Sequence, residues 1–214
     1  MSRLFKVGLV TAVFVSLLSA IQPMAGGPAL NTRYIVFVDP GHGGKDPGAI
    51  GIDGISEKQI NRSIAQMVYI KSLEHPQLRV VLSRRGDEHI YPTDRVIRAN
   101  KIEAALYVSI HANAYSEGTV DGAETLVHET EGPGSPSYRL AEILQRHLIA
   151  KTAAKDRGVK LAPLFIRAAK MPAALVEVGF LTHRLEGRML QSMTYQDKIA
   201  TGILAGILEF IDEY

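Results

Sequence analysis

The chain has 214 residues, of which 46% are hydrophobic and 21% are charged, and it contains no Cys. This apolar content excludes a disordered chain, and the length fits one globular domain with a substantial core. The lack of Cys excludes disulfide frameworks, thiolate metal sites and cysteine nucleophiles. The net charge of +2 comes from Arg3 and Lys6, because the chain after residue 26 has 22 basic and 22 acidic residues. Without a concentrated basic surface, nucleic acid is not an expected partner.

The first 26 residues have the pattern of a secretory leader. Arg3 and Lys6 precede an uncharged apolar run at 7–21. That run, about 15 residues, is shorter than the roughly 20 that a membrane span needs. We therefore expect residues 1–26 to be a signal peptide, with an uncleaved signal anchor as the alternative, and residues 27–32 to be a short linker. The protein would then be exported to the periplasm or the extracellular cell wall, and would meet a membrane only through the leader during export.

From residue 33 onwards, short apolar runs alternate with helical periodicity. The apolar runs predict strands at 34–38, 79–82, 105–110, 123–127 and 174–178. Helical spacing predicts helices at 57–73, 93–102, 136–154 and 195–211. Ser56 is the expected N-cap of the first helix. This order predicts a single α/β domain over residues 33–214, with a mainly parallel, twisted sheet of about six strands and helices on both faces.

Four ionisable residues are expected at one edge of that sheet. His42 lies in the Gly-rich loop after the first strand, and His111 directly follows the third. Glu177 lies in the last strand, and Glu57 opens the helix that follows the Gly-rich loop. In open α/β sheets, ligands bind outside the carboxyl ends of the strands. The four side chains are therefore candidates for one functional site.

Two His and two Glu in this arrangement are typical of a zinc hydrolase. A catalytic zinc commonly takes two His and a carboxylate and leaves one position for water, while a nearby carboxylate accepts a proton. His42, Glu57 and His111 are then the candidate ligands, and Glu177 is the candidate base. Spacing alone leaves structural alternatives open, since Glu57 could simply complement the helix dipole. Glu177 is harder to explain structurally, because a carboxylate in a buried strand is costly unless it is paired or functional.

The Gly-rich loop has a second interpretation as a phosphate cradle. It lacks the Ser or Thr that a P-loop needs after Lys45, and it is not a GxGxxG sequence. A nucleotide-binding protein is therefore disfavoured. The glycines are expected instead to let the backbone turn sharply and present His42.

The segments that carry these residues resemble the amidase 3 family of zinc-dependent N-acetylmuramoyl-L-alanine amidases. They are VFVDPGHGGKDPGA at 36–49, EK at 57–58, SIHANA at 109–114 and MPAALVEVGFL at 171–181. The resemblance implies cleavage of the amide between N-acetylmuramic acid and L-alanine in peptidoglycan. It also implies one zinc ion per chain, held by His42, Glu57 and His111, with Glu177 taking a proton from water and delivering it to the leaving amine.

Further expectations follow from the same resemblance. Arg167 matches an Arg near the cleft and could bind a stem-peptide carboxylate. Asn113 could orient the His111 loop or contact substrate, and Asp39 could support a ligating His. The expected partner of a monomeric enzyme is peptidoglycan, with an activator protein of unknown identity as a further candidate partner.

Two other functions remain as alternatives. A zinc peptidase acting on stem peptides would share the metal and the architecture but would cut peptide bonds. A non-catalytic wall-binding module would be expected to lack a ligand or the base, whereas all four residues are present. Some relatives carry an inserted helix that plugs the zinc site. Here only residues 115–120 separate the segment that carries His111 from the next predicted strand, so we do not expect self-inhibition of that kind.

Overall fold

This computed structural model of the protein describes residues 33–213. The predicted signal peptide at 1–26 and the linker at 27–32 therefore lie outside the described residues. Among the helices of residues 33–213, none combines the length and apolar character needed to cross a bilayer.

Six strands form one sheet in the order β2-β1-β3-β6-β4-β5. They are β1 (Tyr34–Pro40), β2 (Leu78–Leu82), β3 (Leu106–Asn113), β4 (Ala123–His128), β5 (Asp156–Ala162) and β6 (Ala173–Phe180). Strands β2, β1, β3 and β6 are mutually parallel, β4 is antiparallel to β6, and β5 is parallel to β4. The prediction of a mainly parallel sheet of about six strands is confirmed.

Five α-helices connect or follow these strands. They are α1 (Glu57–Ser72), α2 (Pro92–Lys101), α3 (Pro136–Thr152), α4 (Glu186–Leu190) and α5 (Met193–Glu213). Two 3-10 helices span Ile52–Gly54 and Phe165–Ala168. Ser56 precedes α1, and both its backbone N–H and its hydroxyl donate to the Gln59 side-chain oxygen, at 3.2 and 2.7 Å. The expected start of this helix is confirmed.

One strand and one α-helix have no counterpart among the predicted elements. Strand β5 contains only a few strongly apolar residues, and as an edge strand it pairs with β4 alone. An edge strand is only partly buried, so β5 is polar and does not form the apolar run that predicts a strand. The five-residue helix α4 is too short to show helical periodicity.

The two faces of the sheet are covered unequally. Val36 and Val38 of β1 point into a large core that also contains apolar side chains of α1, α3 and α5. Phe37, between them, points to the opposite face and packs in a smaller cluster with Val96 of α2 and Ile166. Alternate residues of a strand face opposite sides. By the same alternation, Asp39 and His111 lie on the α2 face, so the predicted site lies at the carboxyl edge of the less covered face.

Candidate metal centre

The structure brings together the three predicted ligands. One ligand atom from each of His42, Glu57 and His111 lies within 4.8 Å of the others. Oε1 of Glu57 is 2.8 Å from Nδ1 of His111, and Oε2 of Glu57 is 3.1 Å from Nε2 of His42. The three side chains come from the loop after β1, the first residue of α1 and strand β3. They converge only because the fold brings these separate elements to one edge.

Glu57 is fixed as an ionised carboxylate. The backbone N–H groups of Ala49 and Ala112 donate to its two oxygens, at 2.9 and 3.2 Å. Burial alone would raise the pKa of the Glu57 carboxyl, but hydrogen bonds with His111 and His42 outweigh burial and hold that pKa well below its usual value. A fixed negative charge between two imidazoles suits a divalent cation.

Two glycines of the Gly-rich loop allow the close packing of these ligands. A Cβ added at Gly41 would lie 2.2 Å from Cε1 of His111. Gly48 has φ +67°, and a Cβ there would lie 2.6 Å from both Oε2 of Glu57 and Cδ2 of His42. His42 itself has φ 61°, a left-handed conformation that is uncommon for a non-glycine residue. The loop therefore turns sharply at His42, as expected, and its glycines leave room for the side chains of Glu57 and His111.

Asp46 orients His42, and it was not among the predicted site residues. Oδ2 of Asp46 is 2.8 Å from Nδ1 of His42, which leaves Nε2 directed at Glu57. Oδ1 of Asp46 accepts a hydrogen bond from the Gly48 N–H at 3.0 Å. Burial by itself would lower the pKa of His42, but Glu57 and Asp46 together raise it above its usual value. The sequence feature that could have indicated this role is the position of Asp46, four residues after His42 in the same loop.

Replacing Asp46 by Ala is expected to weaken zinc binding by about 10–100-fold, the usual effect of losing a partner that orients a ligating His. Competition with a zinc chelator of known affinity measures this change. Asp212→Ala, at an exposed position near the end of α5, is the matched control and should bind zinc as the wild type does. Equal affinities for the wild type and Asp46→Ala would show that His42 does not need this carboxylate.

A buried polar network lies below the loop that carries His42. Asp39 is fully buried, and its carboxylate accepts hydrogen bonds from Nη1 of Arg95 at 2.6 Å, the Tyr107 hydroxyl at 2.6 Å and the Ser83 hydroxyl at 2.5 Å. Burial would raise the pKa of the Asp39 carboxyl, but Arg95 and the hydroxyl donors outweigh it and lower that pKa. Arg95 also donates to the carbonyl oxygen of His42 at 2.7 Å. Asp39 thus supports the ligand through Arg95.

Asp39→Asn is expected to lower the free energy of unfolding by roughly 3–5 kcal/mol, because it leaves the Arg95 guanidinium buried without a counter-ion. Chemical denaturation measures the loss. Ser83→Ala, which removes one neutral donor from the same carboxylate, should cost only about 1 kcal/mol. Folding lowers the pKa of Asp39 from 3.8. The contribution of the ionised Asp39 to the free energy of unfolding is therefore fully present above the unfolded pKa, and it is lost as the pH falls through the lower, folded pKa. A cost for Asp39→Asn no larger than that for Ser83→Ala would contradict this account.

Arg84 is a second buried cation that local sequence does not distinguish from a surface residue. Its guanidinium donates to the carbonyl oxygens of Pro40, Gly41 and Lys58, at 3.0, 2.8 and 2.9 Å. Burial, together with the neighbouring charge of Arg95, lowers the pKa of Arg84 to about 10. Arg84 therefore ties the loop after β1 to the start of α1, the two segments that supply His42 and Glu57.

Glu177 lies beside the three candidate ligands. In the sheet it is the register partner of His111 on β3 and of Glu124 on β4. Its Oε2 atom is buried and has no hydrogen-bond partner among residues 33–213. Burial first, and then the charges of Glu57 and Glu124, raise the pKa of the Glu177 carboxyl well above its usual value. A partly buried carboxyl with one buried, unpaired oxygen beside a potential metal site is a candidate proton-transfer group.

The two candidate substrate-binding residues have different surroundings. The Asn113 side chain accepts from the Ala114 N–H at 2.8 Å and donates to Oε1 of Glu124 at 3.3 Å, so both ends of its amide are used within the protein. These contacts favour an orienting role over direct substrate contact. Arg167 is exposed in the 3-10 helix before β6 and lines a small cavity of about 30 Å³ with His128. Its guanidinium forms no hydrogen bond with another described residue, although its backbone N–H donates to the Leu164 carbonyl oxygen at 3.3 Å.

Comparison with known proteins identifies similar sequences across most of the chain. Residues 36–209 match the family model described as Amidase_3, N-acetylmuramoyl-L-alanine amidase. The N-acetylmuramoyl-L-alanine amidase LytC of Bacillus subtilis (strain 168) is 40% identical over 176 residues, which cover 82% of this chain and 35% of LytC. The chain thus spans about a third of the length of that curated relative.

Solved structures with the same fold are also similar in sequence. An N-acetylmuramoyl-L-alanine amidase from Clostridium difficile 630 has a TM-score of 0.81 and 36% identity, covering 85% of this chain and 98% of that one. The CwlD amidase from Clostridioides difficile, solved in complex with the GerS lipoprotein, has a TM-score of 0.76 and 28% identity, covering 85% of this chain and 100% of that one. The likeness includes the sheet and the helices that carry the candidate metal centre.

Proposed function

Since the chain belongs to the Amidase_3 family of N-acetylmuramoyl-L-alanine amidases, we propose that it hydrolyses the amide between N-acetylmuramic acid and L-alanine in peptidoglycan. One observation carries the proposal beyond family membership. Two imidazoles and a carboxylate lie within 4.8 Å of one another, and the unpaired carboxyl of Glu177 is on the neighbouring strand. These four groups support the proposal, because they would supply the metal ligands and the proton-transfer group of the reaction.

The donor set fits zinc. His42, Glu57 and His111 would hold one ion per chain, because two imidazoles and a carboxylate are a common ligand set of catalytic zinc and leave a position open. The bound ion would supply Lewis-acid polarisation of the amide carbonyl and a lowered pKa for the attacking water. Asp46 holds the His42 side chain, and the backbone N–H groups of Ala49 and Ala112 hold the Glu57 side chain.

Glu177 would move the proton. A carboxylate oxygen accepts a proton from the attacking water, and the resulting carboxylic acid donates it to the nitrogen of the leaving L-alanine. The burial that raises the pKa of Glu177 favours its protonated form, which suits the second step. A nearby cation would favour its ionised form, which suits the first.

The surrounding residues would hold the substrate and the site. Asn113 would tie the end of β3 to the Glu124 side chain of β4 through its hydrogen bond, and thereby position His111. Arg167 remains a proposed contact for a stem-peptide carboxylate, since its side chain is exposed and forms no hydrogen bond with another described residue.

The proposed location and partners follow from this substrate. The leader pattern at residues 1–26 supports export to the periplasm or the extracellular cell wall, where peptidoglycan is the partner of a monomeric enzyme. The complex of CwlD with the GerS lipoprotein supports an accessory protein as a further partner.

Product analysis tests the proposed activity. The purified protein is incubated with zinc and purified peptidoglycan, and newly formed amino termini are labelled and identified. The proposal predicts L-alanine termini together with glycan strands that keep their lactyl groups. A zinc peptidase would instead give termini from within the stem peptide, and a wall-binding module would sediment with peptidoglycan without producing new termini.

A further inference from the structure

A second polar cluster lies on the side of Glu177 away from the metal ligands. Glu124 of β4 is the register partner of Glu177, and only 8% of it is exposed. Its carboxylate accepts a hydrogen bond from Nδ2 of Asn113 at 3.3 Å and one from Nε of Arg157 at 2.8 Å. Because the Glu124 carboxylate is buried and both of its oxygens accept hydrogen bonds, it is restrained. Its hydrogen bond with Nε in turn restrains the orientation of the Arg157 side chain.

Arg157 is also fixed by contacts with β4 and β6. Cζ of its guanidinium lies 5.1 Å from the ring centroid of Phe180, which is buried at the end of β6. A Cβ added at Gly122 would lie 3.0 Å from Cγ of Arg157, so the aliphatic stem lies close to the backbone before β4. Stacking on an aromatic ring and a charged hydrogen bond together restrain a side chain that is otherwise flexible.

The guanidinium of Arg157 has N–H groups that donate to no other described residue. Within residues 33–213, Arg157 uses only Nε as a donor, and its two terminal nitrogens have no acceptor. The Arg157 side chain is 30% exposed, so these nitrogens are open to a ligand. A guanidinium presents a planar set of donors that matches a carboxylate in a two-point hydrogen bond. The restrained, partly exposed Arg157 is therefore prepared to bind a carboxylate.

The strand order places this cation along the path of the leaving peptide. From His111 on β3, the sheet continues through Glu177 on β6 and Glu124 on β4 to Arg157 on β5. The leaving amine must lie within hydrogen-bond reach of Glu177 to receive its proton. Adjacent strands are about 4.8 Å apart, and two extended residues span roughly 7 Å. Glu177 and Arg157 are two strand spacings apart, about 10 Å, but the Arg157 side chain reaches from β5 to Glu124 on β4. A peptide that runs from Glu177 across β4 therefore brings its second residue near the guanidinium.

We propose that Arg157 is a substrate-binding residue that pairs with a carboxylate on the second residue of the stem peptide, counted from L-alanine. This inference rests on the proposed amidase function and adds a preference to it. The enzyme should favour stem peptides in which that carboxylate is free over those in which it is amidated. Glu124 and Phe180 act as positioning residues, because they hold the guanidinium through a hydrogen bond and an aromatic contact.

The test compares two synthetic substrates that differ in one group. Both are N-acetylmuramoyl dipeptides beginning with L-alanine, and the second residue carries a free carboxylate in one and a carboxamide in the other. The ratio of kcat/KM for the two substrates is measured with the zinc-loaded protein. The wild type should prefer the carboxylate by on the order of tenfold or more, as expected for a charge-assisted hydrogen bond.

Variants then assign the preference to a residue. Arg157→Gln should lower kcat/KM for the carboxylate substrate to the value for the carboxamide, and Arg157→Lys should keep part of the preference because it keeps the charge. Lys160→Gln removes an exposed cation from the same strand and should leave the ratio unchanged. Thermal unfolding of each variant shows whether the fold is retained, and the wild-type ratio is informative even if a variant fails to fold.

Four results would overturn the inference. A wild-type ratio near one, with active enzyme, would eliminate the carboxylate subsite while leaving the amidase function intact. Equal losses of kcat/KM on both substrates in a folded Arg157→Gln protein would show that Arg157 only supports Glu124. Loss of the preference in Arg167→Gln but not in Arg157→Gln would assign the subsite to Arg167. Release of L-alanine termini from neither substrate by the wild type would contradict the amidase function itself, and the subsite with it.

Discussion

Replacing Glu177 by Gln should lower kcat on muramoyl peptides by about 10²–10⁴-fold, the range that general acid–base catalysis supplies. Gln has nearly the same size and shape, so the packing of β6 should be retained. It can neither accept the proton from water nor deliver one to the leaving amine. Because the Oε2 atom of Glu177 forms no hydrogen bond with another described residue, the substitution breaks no structural contact at that atom.

Zinc content separates this result from loss of the metal site. Glu177→Gln should bind one zinc ion per chain with unchanged affinity, since Glu177 is not among the three grouped ligands. Glu129→Gln, at an exposed position just after β4, is the matched control and should keep wild-type kcat. A Glu177→Gln protein with zinc bound and kcat within a few-fold of the wild type would remove Glu177 from the mechanism.

Replacing Glu57 by Ala should remove both zinc and activity. Glu57 supplies the one negative charge among the three ligands, and its carboxylate lies within 3.1 Å of both imidazoles. Its loss should weaken zinc binding by more than the roughly 10–100-fold expected for a residue that only orients a ligand. The substitution also leaves the Ala49 and Ala112 N–H groups without this acceptor, so some loss of stability is expected as well.

Metal analysis after gel filtration, together with the rate of L-alanine release, measures both effects. Glu74→Ala, an exposed position just after α1, should retain one zinc ion per chain and full activity. Circular dichroism of Glu57→Ala shows whether the sheet is still formed. A folded Glu57→Ala protein that keeps stoichiometric zinc would mean that the ion binds elsewhere.

The sequence predicts best the strands that are buried on both faces. Strands β1, β3 and β6 are nearly continuous apolar runs because helices or loops cover both of their faces. Strand β5 lies at the edge of the sheet and is polar, and Arg157 is one of its polar residues. The strand that the apolar pattern misses therefore carries the candidate carboxylate subsite.

The four candidate site residues were predictable because each has a characteristic place in a recognisable element. His42, His111 and Glu177 are marked by their place at strand ends or within a buried strand, and Glu57 by its place at a helix start. The residues that support them are not marked in this way. Arg95 and Arg84 lie far along the chain from the loop that they hold, and such long-range contacts leave no local pattern.

Asp46 is an intermediate case. It lies in the same loop as His42, four residues further on, yet its contact with Nδ1 of His42 depends on the left-handed turn at that residue. Loop composition indicates that a sharp turn is present, but it does not determine which side chains the turn brings together.

Zinc titration of the metal-depleted protein tests the central claim most directly. The purified chain is stripped with a chelator, zinc is added in steps, and the release of L-alanine amino termini from muramoyl peptides is followed at each step. The account predicts no release without metal, a rate that rises in proportion to added zinc, and a plateau at one zinc ion per chain. Full activity of the stripped protein, or no release of L-alanine at one zinc ion per chain, would contradict it.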